Sequence, residues 1–186
     1  MKHNGTHRIE TERLIIRKYK ITDTEDMFIN WASSTAVTRF LTWPPYTRTA
    51  DVRAYIKGRI EAYQSPECYD WVIEWKENHQ AIGSISVVKY DENRLSAEIG
   101  YCLGEAYWHK GIMPEALRAV IRYLFRETDF ECIEACHDVR NVCSGKVMEK
   151  CGLEYDHTER REIMPGKGEQ EMIYRSLLKK DYARKS

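Results

Sequence analysis

The spacing of apolar residues along this chain changes several times, and each change marks an element. "RLIIR", beginning at Arg13, is a short apolar run that predicts a first strand. In "TDTEDMFINWA", Thr22 followed by Glu25 has the spacing of a capping box ahead of a helix. Val52, Tyr55, Ile56, Ile60 and Tyr63 recur at helical spacing and predict a second helix starting after Thr49. Between the two lies "FLTWPPY", whose paired prolines suit neither a helix nor a strand ladder, so it is read as an aromatic loop. From Tyr69 the period becomes two: Tyr69, Trp71, Ile73 and Trp75 alternate with Asp70, Val72, Glu74 and Lys76. "ENHQ" then predicts a turn and "AIGSISVVKY" the returning strand of a hairpin. "LSAEIGYCL" follows as a third antiparallel strand, with Leu95, Ala97, Ile99, Tyr101 and Leu103 on one face. Ser96, Glu98, Gly100 and Cys102 share the other.

The clearest helix begins inside "EAYWHKGIMPEALRAVIRYLF". Met113, Ala116, Leu117, Val120, Ile121, Leu124 and Phe125 form one unbroken apolar stripe, and Arg118, Arg122 and Arg126 form a basic row on the opposite, solvated face. "ECIEACHDV" reads as a strand and "NVCSGKVMEKCG" as a short helix capped by Gly152. Two more strands are expected around Glu154 to Ile163 and Glu171 to Leu178, joined by a turn at "PGKG". Strand, two helices, a three-strand meander, then helices alternating with strands up to a last strand pair make an α/β (α+β) protein. Its sheet is mixed and mostly antiparallel, of about seven strands, with helices packed on it.

Composition narrows the function classes. The 186 residues are read as one domain over 1–186. Lys plus Arg equal Asp plus Glu at 29 each, so no net field favours nucleic acid or an acidic membrane surface. The N-terminal stretch lacks the apolar run of a signal peptide, and no segment has the length of a membrane span. A cytoplasmic protein is expected, with neither nucleic acid nor membrane as partner. The six cysteines lack the paired spacings of a disulfide framework and are read as reduced thiols. Cys132, Cys136, His137, Cys143 and Cys151 fall close together but match no common ligand interval, so no metal is expected.

Pro114 suits the first turn of the amphipathic helix, where an amide has no intrahelical partner. A glycine turn at Gly111 feeding that helix start makes an anion site from free amides and the positive end of the helix dipole. Neither the dinucleotide fingerprint nor the P-loop is present.

Taken in order, "TERLIIRKYKITDTEDMF", "AEIGYCL", "YWHKGIMPEAL" and "NVCSGKVMEKCGL" resemble the RimJ/RimL-like branch of the GCN5-related N-acetyltransferases (GNAT), over about Thr11 to Tyr182. The resemblance implies direct transfer of an acetyl group from acetyl-coenzyme A (acetyl-CoA) to an amine within a ternary complex. It also implies a V-shaped splay between two central parallel strands, and helices on both sheet faces. By the same resemblance, the pyrophosphate lies on backbone amides of Trp108, His109, Lys110, Gly111, Ile112 and Met113. The pantetheine arm lies against Tyr101, Cys102 and Leu103, and Asn141 and Ser144 sit beside the coenzyme and its sulfur. The family commonly has a small residue where His109 stands here, and a glycine or alanine where Met113 stands.

An aliphatic amine, with a pKa of about 8 for an α-amine and about 10.4 for lysine, must lose a proton before it attacks a thioester. Glu98, a carboxylate on a central strand just before the proposed acyl site, is the candidate base; otherwise it is a solvated or salt-bridged strand residue. The departing thiolate, with a pKa near 8.5, gains from a proton donor. Many superfamily members place a tyrosine seven residues after the asparagine; here Met148 stands there, leaving Ser144 as donor or hydrogen-bond partner to the sulfur. Otherwise its hydroxyl bonds its own helix backbone. Tyr101, Tyr155 and Tyr174 are read mainly as core. Phe40, Trp43 and Tyr46 match the acceptor wall of the family and could equally be a packed hydrophobic loop. Cys102 as an acyl-carrying nucleophile lacks a histidine to activate it.

The expected acceptor is an α-amine at a protein N-terminus, as in ribosomal-protein acetylation. A small amine such as an antibiotic or polyamine, a non-catalytic acyl-coenzyme A binding module and a nucleotide-phosphate enzyme using Lys110 are the alternatives. A homodimer is compatible with the sequence but not specified by it.

Overall fold

The computed structural model describes residues 1–166 and 168–185. Eight strands form one sheet: β1 (Ile9–Glu10), β2 (Leu14–Arg17), β3 (Asp70–Trp75), β4 (Ala81–Asp91), β5 (Ser96–Leu103), β6 (Cys132–Asp138), β7 (Glu154–Arg161) and β8 (Gln170–Leu178). Their spatial order is β1-β2-β3-β4-β5-β6-β8-β7. The sheet is mixed and mostly antiparallel as expected; β5 and β6 run parallel. The strand beyond the expected seven is β1, whose two residues pair with β2 and are too few to carry a periodicity.

Helices cover both faces. On one side α1 (Thr24–Met27), α2 (Thr35–Thr38) and α3 (Thr49–Ala62) enclose a core with Trp31, Val52, Ile56, Val72 and Cys102. On the other side α4 (Ile112–Glu127) and α5 (Val142–Lys150) pack on Trp71, Ile85, Ile99 and Ile133. The stripe read from the sequence is the buried face of α4, and Arg118, Arg122 and Arg126 are exposed. Gly152, at φ +87°, follows the end of α5 in the left-handed conformation expected of its cap. A last helix, α6 (Lys179–Lys185), was not expected; Tyr182 packs on Phe125. The "PGKG" turn includes Lys167, which lies outside the described residues.

Three local expectations are corrected. A 3₁₀ turn over Ile21–Asp23 leads into α1, and Asp23 rather than the Thr22/Glu25 pair closes it: the Lys20 N–H donates to Asp23 Oδ2 at 2.7 Å. Asp23 is held there because both its oxygens also accept from the Arg17 guanidinium at 2.8 Å. The helix then widens into a π turn over Phe28–Ala32 that buries Trp31. In β3 the polar alternates are buried too, because α1 to α3 cover that face; Glu74 is paired with Arg17 Nε at 2.6 Å. Tyr155 is 62% exposed rather than core, and Tyr174 is half-buried, stacked on His157 at 4.5 Å.

One irregularity decides the shape of the centre. Parallel pairing of β5 with β6 covers only Ser96↔Cys132, Ala97↔Ile133 and Glu98↔Glu134, yet both strands run on, to Leu103 and Asp138. On the opposite side of β5 the ladder with β4 slips between Val87 and Lys89, at Glu98 and Ile99. A bulge bends its strand and increases the local twist, and here it coincides with the point where β5 and β6 part. Gly100 makes room for it: a Cβ there would lie 2.8 Å from Val88 Cγ1.

Candidate active site

Past Glu98 the parted strands open a cleft of about 470 Å³. The Gly104 N–H bonds the Ile82 carbonyl of the β4 side. By strand alternation, Ile99 and Tyr101 therefore turn their own N–H and C=O toward the gap. Glu98, Tyr101, Cys102, Asn141, Ser144, Phe40, Trp43 and Tyr46 all line this cleft. The fold thus brings together residues from β5, α5 and the loop between α2 and α3. Leu103 and the Trp108 to Met113 segment do not line it; they lie at the end of β5 and the head of α4.

The Glu98 carboxylate is mostly buried, with Oε1 3.5 Å from Cys136 Sγ and 3.8 Å from Arg161 Nη2. Burial, reinforced by the Glu98 charge, pushes the Cys136 thiol up to about 12, so it is a neutral neighbour that donates to the carboxylate. Cys102 is also a protonated thiol, pushed up to about 11 by burial and 3.2 Å from Ser84 Oγ.

Across the cleft, Tyr101 Oη lies 3.0 Å from both Ser144 Oγ and the Ser144 carbonyl oxygen. The Ser144 hydroxyl is therefore turned to a phenol. Burial raises the Tyr101 phenol well above its ordinary range and keeps it protonated. Asn141 caps α5, its side chain accepting from the Ser144 N–H at 3.4 Å, so the asparagine and serine form one helix start. Met148 is buried on the same helix.

At the head of α4, Gly111 has φ +73° and His109 has φ +59°. Gly111 tolerates that conformation without cost, whereas His109 adopts it against its Cβ. Ile112 and Met113 hold the first two helical positions, where N–H groups have no intrahelical acceptor. The Trp108 N–H differs: it closes a turn on the Glu105 carbonyl at 3.1 Å, while the indole Nε1–H donates to the Leu103 carbonyl at 2.7 Å. Arg13 clasps this head from β2's leading edge, donating to the Lys110 carbonyl at 2.9 Å and to Glu115 at 2.7 Å. The Lys110 ammonium lies over the Tyr107 ring at 5.6 Å and the His109 side chain is exposed.

Asp70, Arg161 and Tyr55 also line the cleft and were given no site role from the sequence; His137, weighed there only as a metal ligand, lines it too. Arg161 belongs to β7, remote in sequence from the motifs, and only the β7–β8 hairpin folding beside β6 brings it to Glu98. Asp70 is pushed up to about 6 by burial, opposed by Arg59 at 3.6 Å and the Tyr55 hydroxyl.

A model of the acetyltransferase (GNAT) domain matches residues 13–154, from β2 to the start of β7, including both parted strands and the helices that follow them. The chain belongs to the GNAT family of N-acetyltransferases. It is 30% identical over 174 residues to the uncharacterized N-acetyltransferase p20 of Bacillus licheniformis, covering 93% of this chain and 97% of that protein. A ribosomal-protein-serine acetyltransferase of Escherichia coli is 32% identical over 84 residues, 45% of this chain and 46% of that one. Among solved structures, a GNAT-family acetyltransferase from Bacillus anthracis superposes with a TM-score of 0.81 at 25% identity, over 94% of this chain and 99% of the other. As a GNAT member the protein is an acyltransferase, and the parted parallel strands are its family's central splay. Among the described residues, no helix is long and apolar enough to cross a membrane.

Proposed function

We propose that this GNAT enzyme acetylates the α-amine of a protein N-terminus. The observation that supports it most is the cleft itself: Glu98 and Ser144 on its two sides, an aromatic wall of Phe40, Trp43 and Tyr46, and the open backbone edge of Ile99 and Tyr101. The name of the Escherichia coli relative, a ribosomal-protein acetyltransferase, supports a protein as the acceptor.

The residues fit acetyl-CoA. Free amides at His109 to Met113 and the positive end of α4 suit phosphates, and the gap edge of β5 suits an arm that carries amides. The Trp108 amide takes no part, being already bonded to Glu105. Bound there, acetyl-CoA supplies an activated acyl carbonyl with a thiolate leaving group.

Glu98 accepts the proton that the acceptor ammonium must lose, directly or through one water. The acceptor nitrogen, now carrying its lone pair, forms the amide bond as the carbon–sulfur bond breaks, and the second proton it then sheds passes to the departing thiolate, with the Ser144 hydroxyl as the relay. Ser144 hydrogen-bonds the departing sulfur or gives it a proton, and Tyr101 holds that hydroxyl in place. An α-amine, with a pKa near 8, is far easier to deprotonate at neutral pH than a lysine side chain near 10.4.

The test is a mass-spectrometric screen with acetyl-CoA, using peptides with free or blocked N-termini together with small amines. Acetylation confined to free N-termini is the expected result. Turnover of small amines alone, or coenzyme binding with no acetylated product, would overturn the proposal.

A further inference from the structure

Arg161 is an unexpected neighbour for a base. A guanidinium offers five N–H donors in a fixed plane, and here few of them are spent. Nη2 reaches Cys136 Sγ at 3.5 Å, a weak acceptor, and lies 3.8 Å from Glu98 Oε1, beyond a normal hydrogen bond. Nε–H is buried with no partner among the described residues. The group also lies over the Tyr174 ring, its Cζ 5.4 Å from the ring centroid. A buried donor left unpaired costs free energy, which a ligand acceptor would recover.

Arg161 and Glu98 both line the cleft. A group bound there meets an acceptor of protons and a donor of hydrogen bonds less than 4 Å apart. An α-aminoacyl unit has the matching pair, because its amine nitrogen and carbonyl oxygen are separated by three bonds and lie within about 3–3.6 Å. A lysine side chain or a plain alkylamine has no oxygen at that distance.

From this we infer that Arg161 determines acceptor specificity by donating to the first carbonyl oxygen of an α-aminoacyl acceptor while its amine lies on Glu98. The inference rests on the α-amine reading above and adds the residue that enforces it. A bare alkylamine would still reach Glu98 but would bring no oxygen acceptor to the guanidinium.

The experiment compares kcat/KM of the wild type, Arg161→Met and Arg161→Lys on three acceptors. They are a peptide with a free N-terminus, the same peptide as its free N-terminal amino acid, and n-butylamine. The wild type should prefer the peptide. In Arg161→Met the peptide value should fall by about 10- to 100-fold, mainly through KM, and by at least about fivefold more than the alkylamine value. Arg161→Lys should recover part of the preference. If the wild type prefers butylamine, the α-amine reading itself fails. If it prefers the peptide and Arg161→Met keeps that preference, or loses both acceptors equally, the assignment to Arg161 alone fails. A free amino acid preferred over the peptide would mean the guanidinium reads a carboxylate, and would overturn the peptide assignment.

Discussion

Tyr101 Oη stands 3.0 Å from the hydroxyl of Ser144 and 3.0 Å from its carbonyl oxygen. A phenol has one proton, so it can serve either acceptor. With the proton on the carbonyl, the phenol oxygen receives the Ser144 hydroxyl; with the proton on Oγ, the Ser144 proton is released to a third group. The second arrangement is the one the proposed sulfur partner requires. Replacing Ser144→Ala removes the hydroxyl but leaves Tyr101 its carbonyl acceptor. Stability should therefore fall by less than about 1 kcal/mol, while kcat, followed by thiol release, falls about 10- to 100-fold. An unchanged kcat would remove Ser144 from the mechanism.

Glu98 carries a different burden, since the acceptor ammonium must lose a proton before it can attack. Glu98→Gln keeps size and hydrogen bonding and should cost about 10²- to 10⁴-fold in kcat/KM for the acceptor. Coenzyme A affinity by calorimetry should stay within about twofold. Full activity in this variant would mean the base is elsewhere.

The head of α4 can be tested through its backbone. Gly111→Val forces a β-branched residue to φ +73° and should weaken coenzyme A binding at least about tenfold. His109→Gly relieves a residue at φ +59° and should raise stability by up to about 1 kcal/mol, read as a higher Tm, without loss of turnover. His109→Ala should leave catalysis nearly unchanged. A large loss of kcat in His109→Ala would restore a chemical role to that imidazole.

Asp70 makes stability depend on pH. Burial raises its carboxyl from 3.8 to about 6 in the fold. The folded state therefore holds its proton more tightly than the unfolded chain. The favourable contribution of the protonated form is complete below about pH 4 and lost as pH rises through about 6. Asp70→Asn should accordingly be more stable than the wild type at pH 8, by about 1–3 kcal/mol, with the difference vanishing near pH 4. Denaturant unfolding at both pH values checks it; an equal difference at the two would assign the effect to packing.

Much of this protein can be read from residue order alone. The stripe from Met113 to Phe125 dictates a helix because only one face of that segment can be buried, and Pro114 and Gly111 locate its start because each has a backbone preference of its own. The alternation in β3 to β5, and the motifs that placed Glu98, Asn141 and Ser144 in one region, are likewise local patterns. Elements without such a pattern escaped: β1 has two residues, α2 four, and α6 has no apolar stripe to announce it.

Tertiary structure decided what no local pattern encodes. The bulge at Val88, accommodated by Gly100, coincides with the parting of β5 from β6; strand pairing is a contact between distant segments, so its failure leaves no periodic trace. Burial set the proton states of Cys102, Cys136 and Asp70, because desolvation depends on which helices cover the sheet. Tyr101 met Ser144, and Arg161 came from a hairpin 63 positions beyond Glu98 to stand beside it, only when the chain had folded. Sequence determined which segments form the family's frame and where its carboxylate lies; side-chain partners in the cleft were determined by packing, which acts across the chain rather than along it.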